Sequence, residues 1–234
     1  QVTRSAGHGD YHPIVLAPAS VQEAIDLMVL AFDLADQYRH LVFVVADGLI
    51  GQMMEPAELP EMQPIRTKRP TWALTGAKDR GPNVITSLEL GAPALEALND
   101  HLQAKIAKIR AIEQRSTELY TGDAELIVVG YGTAGRIAQT AVKQARDNGM
   151  KVGLFRPITL WPYPEQRLSE LTDQVEAFLV VEMNAGQMID DVRLASGGQV
   201  PVEFYGRTGG SVPLPEEIYH EIATLYKKLM KEAV

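Results

Sequence analysis

Leu126-Ile127-Val128-Val129-Gly130-Tyr131-Gly132-Thr133-Ala134-Gly135 is the stretch on which the fold turns. Four consecutive aliphatic residues make a strand that is apolar on both faces, the pattern of a strand covered by helices on both sides. A glycine-punctuated turn follows and opens a helix over residues 134–147, which Asn148-Gly149 ends. Downstream the alternation repeats. Strands are expected at 152–155, 177–181 and 200–205, helices at 165–172 and 187–195, and Pro215 sits at the first position of a last helix running to Lys231. Strands alternating with helices mean a parallel, doubly wound α/β unit. Residues 156–162, Arg-Pro-Ile-Thr-Leu-Trp-Pro, read as a stiff loop.

The same grammar appears upstream. Ile14-Val15-Leu16-Ala17 is a short apolar run stopped by Pro18. Ser20 and Glu23 form a capping box for a helix to about Tyr38. Val21, Ala24, Ile25, Met28, Ala31, Phe32 and Ala35 recur at helical spacing and are expected to form its buried stripe. Residues 41–46, Leu-Val-Phe-Val-Val-Ala, should be a strand apolar on both faces, which completes a right-handed crossover unit. Prolines 56, 60, 64, 70, 82 and 93 then break all periodicity, so this region reads as an irregular connector. A helix is expected over 94–119, with Leu95, Leu98, Leu102, Ile106, Ile109 and Ile112 on one face, and Thr121-Gly122-Asp123 as its end. The expected organisation is a first unit at 1–55, a connector with an amphipathic helix at 56–119, and an α/β domain at 120–234.

Composition narrows the function. The chain has 234 residues, 22 basic against 30 acidic, for a net charge of −8. An acidic surface repels phosphate backbones, which argues against nucleic acid as a partner. Cysteine is absent, so this chain holds no disulfide, no cysteine–zinc site and no iron–sulfur cluster. No apolar run approaches the roughly 20 residues that span a bilayer, and a cytoplasmic home fits. The chain begins Gln1-Val2-Thr3 in what reads as a loop, without an initiator Met, so a truncated or processed product is expected.

Three features could carry chemistry. Gly130, Gly132 and Gly135 fit the G-x-G-x-x-G turn that places a dinucleotide pyrophosphate on a helix N-terminus. The acid that should end the next strand is missing. Arg156 stands there instead, a residue able to read a 2′-phosphate, so an NADP-dependent oxidoreductase is the alternative enzyme class. Backbone packing alone would also explain the glycines. Glu182, Asn184 and Gln187 lie where a strand ends and a helix begins, the place where ligands and partners dock on open parallel sheets; capping by Asn184 is the structural reading. Arg207, in Gly206-Arg207-Thr208-Gly209-Gly210, could complete an anion-binding nest or simply belong to a turn. His8 and His12 are four apart, but Gly9 and Pro13 argue against the helix that would aim both at one metal, and no metal site is expected. No nucleophile elbow and no acid–base carboxylate pair is present, and no catalytic residue is assigned.

The segments at 5–39, 44–56, 154–164, 180–188 and 202–210 together resemble the α subunit of 2-oxoacid:ferredoxin oxidoreductases. The His8-Gly9-Asp10…Ile14-Val15-Leu16-Ala17-Pro18 run and the Val181-Glu182-Met183-Asn184-Ala185-Gly186-Gln187-Met188 run are the specific ones. The resemblance implies a transketolase-like parallel-sheet α/β fold, part of a pyrimidine-binding domain followed by a transketolase C-terminal-like domain. It implies oxidative decarboxylation of a 2-oxoacid, with 3-methyl-2-oxobutanoate favoured and 2-oxoglutarate next, to acyl-CoA with ferredoxin reduction. Thiamine diphosphate with Mg would be shared with a β subunit, a small ferredoxin-like subunit would carry the iron–sulfur clusters, and coenzyme A would be a substrate. The family's α subunits begin with a segment that has no counterpart here and that carries the substrate loop and the cofactor-activating glutamate. The fragment alone is therefore expected to be inactive, and apolar surface at 21–35 and 41–46 is expected to be uncovered. His8, Gly9 and Asp10 would continue from that segment and are expected near the cofactor. Glu182, Asn184, Gln187 and Arg207 are expected in an interface or ligand loop. A non-catalytic α/β scaffold is the remaining reading.

Overall fold

The structure is a computed structural model that describes residues 2–3, 7–61 and 70–232. Its larger sheet has the strand order β3-β5-β4-β7-β8, built from β3 (Ser116–Leu119), β4 (Leu126–Val129), β5 (Val152–Pro157), β7 (Ala177–Glu182) and β8 (Val202–Gly206). The last four are parallel. Because side chains alternate across a strand, each strand feeds two cores. Leu126 and Val128 pack with α3 (Gly132–Asp147) and α6 (Pro215–Glu232), through Ala138, Ala141, Ile218 and Ile222. Ile127 and Val129 pack on the opposite face with α4 (Glu165–Thr172) and α5 (Met188–Ser196), through Leu168, Leu171 and Val192. Each fully buried aliphatic side chain contributes about 2 kcal/mol, so this double cover makes the larger sheet the stable centre of the molecule. The doubly wound expectation holds here element by element.

The smaller sheet has the order β2-β1-β6, from β1 (Ile14–Leu16), β2 (Val42–Val44) and β6 (Thr159–Trp161). β1 and β2 are parallel, joined by α1 (Val21–Tyr38). Ile14 and Leu16 pack beneath α1 and against Ile109 of α2 (Ala92–Ile112). Val15 and Ala17 face the other way, onto Leu160 and Tyr131. The Ser20 hydroxyl accepts the Glu23 N–H at 3.1 Å, as a capping box requires, but the Glu23 carboxylate reaches back to the Ala19 N–H, one residue beyond the cap.

Four expectations are corrected. The helix expected to run to Leu119 stops at Ile112, and 116–119 is the antiparallel edge strand β3 against β5. The stiff loop at 156–162 is in fact the end of β5 and then β6, which pairs antiparallel with β1; the sheets are therefore parallel at their centres and mixed at their edges. In α1 the buried stripe is Leu27, Ala31, Leu34 and Tyr38, whereas Met28 and Phe32 are exposed at 47% and 72%. This helix is apolar around most of its circumference, so periodicity alone does not say which side meets the sheet. Finally, β2 is an edge strand, covered on one side only, with Leu41 and Phe43 partly exposed. Met28, Phe32 and Ala35 border an apolar groove of about 220 Å³ with Val42 and Val44, which is the uncovered surface the sequence leads one to expect. The connector carries neither helix nor strand at 55–61 and 70–91; its stretch 62–69, with Pro64, lies outside the described residues.

Ion pairs tie the surface together. Arg136 holds Glu55, Arg167 holds Glu118 and Lys151 holds Glu125, and each cation keeps its carboxyl below the ordinary glutamate range. A carboxyl whose pKa is lower in the folded state stabilises the fold above its unfolded value and loses that contribution as pH falls through the folded one. Thermal midpoints should therefore hold from pH 7 to about 5 and decline once pH drops below the unperturbed value of 4.5. Melting curves between pH 7 and 3 check this, and an unchanged midpoint at pH 3 refutes it.

Candidate functional site

The carboxyl ends of both sheets open onto one cleft. β2 ends at Val44 and continues through Val45, Ala46 and Asp47; β4 ends at Val129 and continues through Gly130 and Tyr131; β7 ends at Glu182. Ligands bind at such carboxyl ends in open α/β sheets. The cleft encloses about 400 Å³ between Val15, Val45 and Leu160 on one side and Tyr131, Tyr163 and Gln187 on the other. A smaller recess of about 220 Å³ adjoins it, floored by Asp47 and Gly132.

The glycine turn has a structural explanation. A Cβ on Gly135 would stand 2.5 Å from the Gly130 carbonyl oxygen, and a Cβ on Gly130 would meet the Gly135 Cα at 3.1 Å, so strand and helix meet backbone to backbone. The N-terminus of α3 already holds an anion, the carboxylate of Asp47. Its Oδ2 accepts the Thr133 N–H at 3.1 Å and its Oδ1 the Thr133 hydroxyl at 2.8 Å, while Leu49 and Ile50 N–H groups bind Oδ1 from the loop side. A helix N-terminus attracts negative charge, and here a residue of the first unit supplies it. The place a pyrophosphate would take is thus occupied by the chain itself. Arg156, the residue that would read a 2′-phosphate, makes a bidentate pair with Glu23 at 2.8 and 2.9 Å. The dinucleotide alternative loses both of its supports and the backbone-packing reading of the glycines holds: the motif is a docking socket between the two sheets. Arg136, hydrogen bonded to the Ala19 carbonyl and paired with Glu55, is a third tie across the same boundary.

Glu182 is fully buried. Its carboxylate accepts backbone N–H groups of Gln187, Met188 and Ile189 at 2.9–3.3 Å and the Asn184 amide at 3.0 Å. It caps α5, a role the sequence suggested for Asn184. Asn184 instead closes the turn, accepting the Gly186 N–H at 2.7 Å. Gln187 borders the cleft. Arg207 pairs with Glu217 at 3.0 Å, so its charge is committed to the start of α6.

Two tyrosines give the cleft its donors. Burial, with the charges of Glu182 and Asp47 behind it, raises the Tyr131 phenol. Burial, with Asp191 and Glu182, pushes Tyr163 well above its usual value, and its hydroxyl has no hydrogen-bond partner among the described residues. Both remain neutral phenols, able to donate. Sequence reasoning named neither tyrosine, nor Asp47; the signal available was that Asp47-Gly48 directly follows a strand, where open sheets place functional loops.

His8, Gly9 and Asp10 lie at the other end of β1. All three are exposed, Gly9 and Asp10 border a second groove, and the Asp10 carbonyl accepts the Gln103 amide. His12 stacks on Trp161 with ring centroids 5.1 Å apart. Among the described residues no group of three His, Asp or Glu side chains could hold a metal ion. Among the described residues the carboxylates that line the cleft are Asp190 and Asp191 and no Lys or Arg lines it, while Asp47 and Glu182 nearby are taken by helix N-termini. The described residues therefore do not build a site for a metal–diphosphate group. No helix among them is long and apolar enough to cross a membrane.

Comparison with known proteins agrees with this architecture. Residues 2–119 match the family model for the pyruvate flavodoxin/ferredoxin oxidoreductase thiamine-diphosphate-binding region, and residues 124–218 match pyruvate:ferredoxin oxidoreductase core domain II. The chain is 43% identical over 222 residues to the ketoisovalerate oxidoreductase subunit VorB of Methanothermobacter marburgensis, covering 95% of this chain and 63% of that one. It is 33% identical to the 2-oxoglutarate synthase subunit KorA of the same organism, covering 94% and 65%. The chain thus spans about six tenths of the length of the curated relatives it matches. The 2-oxoglutarate:ferredoxin oxidoreductase of Magnetococcus marinus, solved with 2-oxoglutarate, coenzyme A and succinyl-CoA bound, shares the fold at a TM-score of 0.72 and 20% identity, over 96% of this chain and 44% of that one.

Proposed function

The chain belongs to the pyruvate flavodoxin/ferredoxin oxidoreductase family, and on that premise we propose that it works as α-type subunit material in a thiamine-diphosphate-dependent 2-oxoacid:ferredoxin oxidoreductase. The reaction is oxidative decarboxylation of 3-methyl-2-oxobutanoate, with the acyl group passed to coenzyme A and the electrons to ferredoxin. The observation that carries this reading is the 43% identity to a ketoisovalerate oxidoreductase subunit across 95% of the chain.

The division of labour follows from the site chemistry. With no metal-ligand cluster and no cation lining the cleft among the described residues, the diphosphate and its Mg are assigned to a β-type chain. With no cysteine, the clusters belong to a small ferredoxin-like chain. The pyrimidine-binding part and the transketolase C-terminal-like part meet at the cleft, where the neutral phenols of Tyr131 and Tyr163 and the side chain of Gln187 face the interface. The setting is the cytoplasm, where ferredoxin and coenzyme A are available. In the same reading Asn184, Gln187 and Arg207 belong to an interface or ligand loop.

This chain by itself is expected to show no 2-oxoacid-dependent viologen reduction, and to show it once assembled with a thiamine-binding chain and an iron–sulfur chain from the native host. On the assembly, kcat/KM should be higher for 3-methyl-2-oxobutanoate than for 2-oxoglutarate. The reverse order assigns it to the 2-oxoglutarate-specific branch. Thiamine-dependent turnover by the chain alone overturns the subunit reading.

A further inference from the structure

We infer that the groove at the amino ends of β1 and β2, on the opposite side of the smaller sheet from the cleft, is a binding site for a phosphorylated small molecule. The groove encloses about 610 Å³ between the end of α1, the middle of α2 and the loop before β1. That is a volume typical of small-molecule sites. Arg39, His40 and Lys105 line it, in a chain whose net charge is −8.

Arg39 and Lys105 are the two cations, and the Asp10 carboxylate borders the same groove without an ion pair to either. Lys105 Nζ donates to the Arg39 carbonyl at 3.1 Å, and the Arg39 guanidinium lies 4.8 Å over the Trp72 ring. No described carboxylate forms an ion pair with either one. The Asp10 backbone carbonyl accepts the Gln103 amide, which fixes the loop at the groove's edge. Partial burial, and to a smaller extent the charge of Arg39, lower the Lys105 pKa. Burial lowers His40 as well, with Lys105 among the smaller causes, and its Nε2 sits 2.6 Å from the His12 carbonyl. Arg39 also holds a left-handed backbone, φ 46°, where a glycine or asparagine is usual. Strained residues of this kind persist where surrounding structure fixes them, and they gather at binding sites.

A doubly charged phosphoryl group offsets both Arg39 and Lys105. The Asn99 amide adds a neutral polar group, and Leu102 and Ile106 give an apolar floor for the rest of a ligand. A phosphoryl group on an organic body fits both parts. The inference is independent of the 2-oxoacid reading, because the groove and the cleft lie at opposite ends of β1.

Isothermal titration of the full chain with ADP and with inorganic pyrophosphate, at fixed low salt, tests it. Both probes should bind saturably at one site, ADP more tightly because only it reaches the apolar floor. Lys105→Gln should weaken ADP binding at least tenfold, and Arg39→Gln should do the same as an independent variant. Lys143→Gln, the same charge change on the exposed face of α3, should leave binding within twofold. Absence of saturable binding overturns the inference, as does an equal loss in all three variants, which would reduce the effect to net charge.

Discussion

Glu182→Gln should destabilise the chain by about 3 kcal/mol, a drop in thermal midpoint of roughly 10 °C for a protein this size. The carboxylate is fully buried, and every contact made to it is a donor: three backbone N–H groups at the start of α5 and the Asn184 amide. Glutamine keeps the shape but replaces one acceptor oxygen with an NH₂. That group then faces donors it cannot satisfy, and at least one buried N–H loses its partner. The negative charge that complements the helix N-terminus is lost as well. Urea denaturation of the two proteins measures the difference directly. A change below about 0.5 kcal/mol, the range of ordinary surface substitutions, would mean that α5 does not depend on this cap.

Gly135→Ala should cost as much or more. The added methyl would lie 2.5 Å from the Gly130 oxygen and 2.8 Å from the Gly130 carbonyl carbon, with the Arg156 Cδ at 3.1 Å. Two of these three atoms are backbone of the central strand β4's exit turn, which cannot swing aside as a side chain would. Overpacking of a rigid site typically costs 1–3 kcal/mol and sometimes more, about 3 kcal/mol here. The displacement would also disturb Arg156, and with it the pair to Glu23. Gly132→Ala makes a useful contrast. Its φ is +54° and its Cβ would sit 3.3 Å from the Asp47 carboxylate, a side chain able to adjust, so the expected cost is about 1 kcal/mol. Equal stabilities for the two variants would refute the backbone-contact account of the turn.

The centre of the larger sheet was legible because β4, β5 and β7 are apolar and buried on both faces, and its helices are bounded by Asn148-Gly149 and Pro215. The antiparallel edges were not. β3 reads Ser-Thr-Glu-Leu and follows directly on a helical pattern, so nothing local separates the two. β6 lies between two prolines and becomes a strand only because β1 offers an edge. The face of α1 was misread because Met28 and Phe32 are as apolar as Leu27 and Leu34; tertiary contact, not periodicity, makes the choice. In the site, Glu182 and Gln187 were visible from their place after a strand. Asp47 was not, since the socket it fills lies far along the chain and an Asp-Gly pair normally signals only a turn.

The pairing of β6 with β1 bears on the order in which the chain assembles. Of the strands that pair in the smaller sheet, β1 and β2 are synthesised together, and a two-stranded sheet is marginal on its own. The third strand arrives with residues 159–161, on the order of ten seconds later at ordinary rates of synthesis. The smaller sheet's first two strands are thus made well before the third, which is spliced in from the far half of the sequence. The smaller sheet therefore closes over a sequence separation that makes its assembly a late, non-local event.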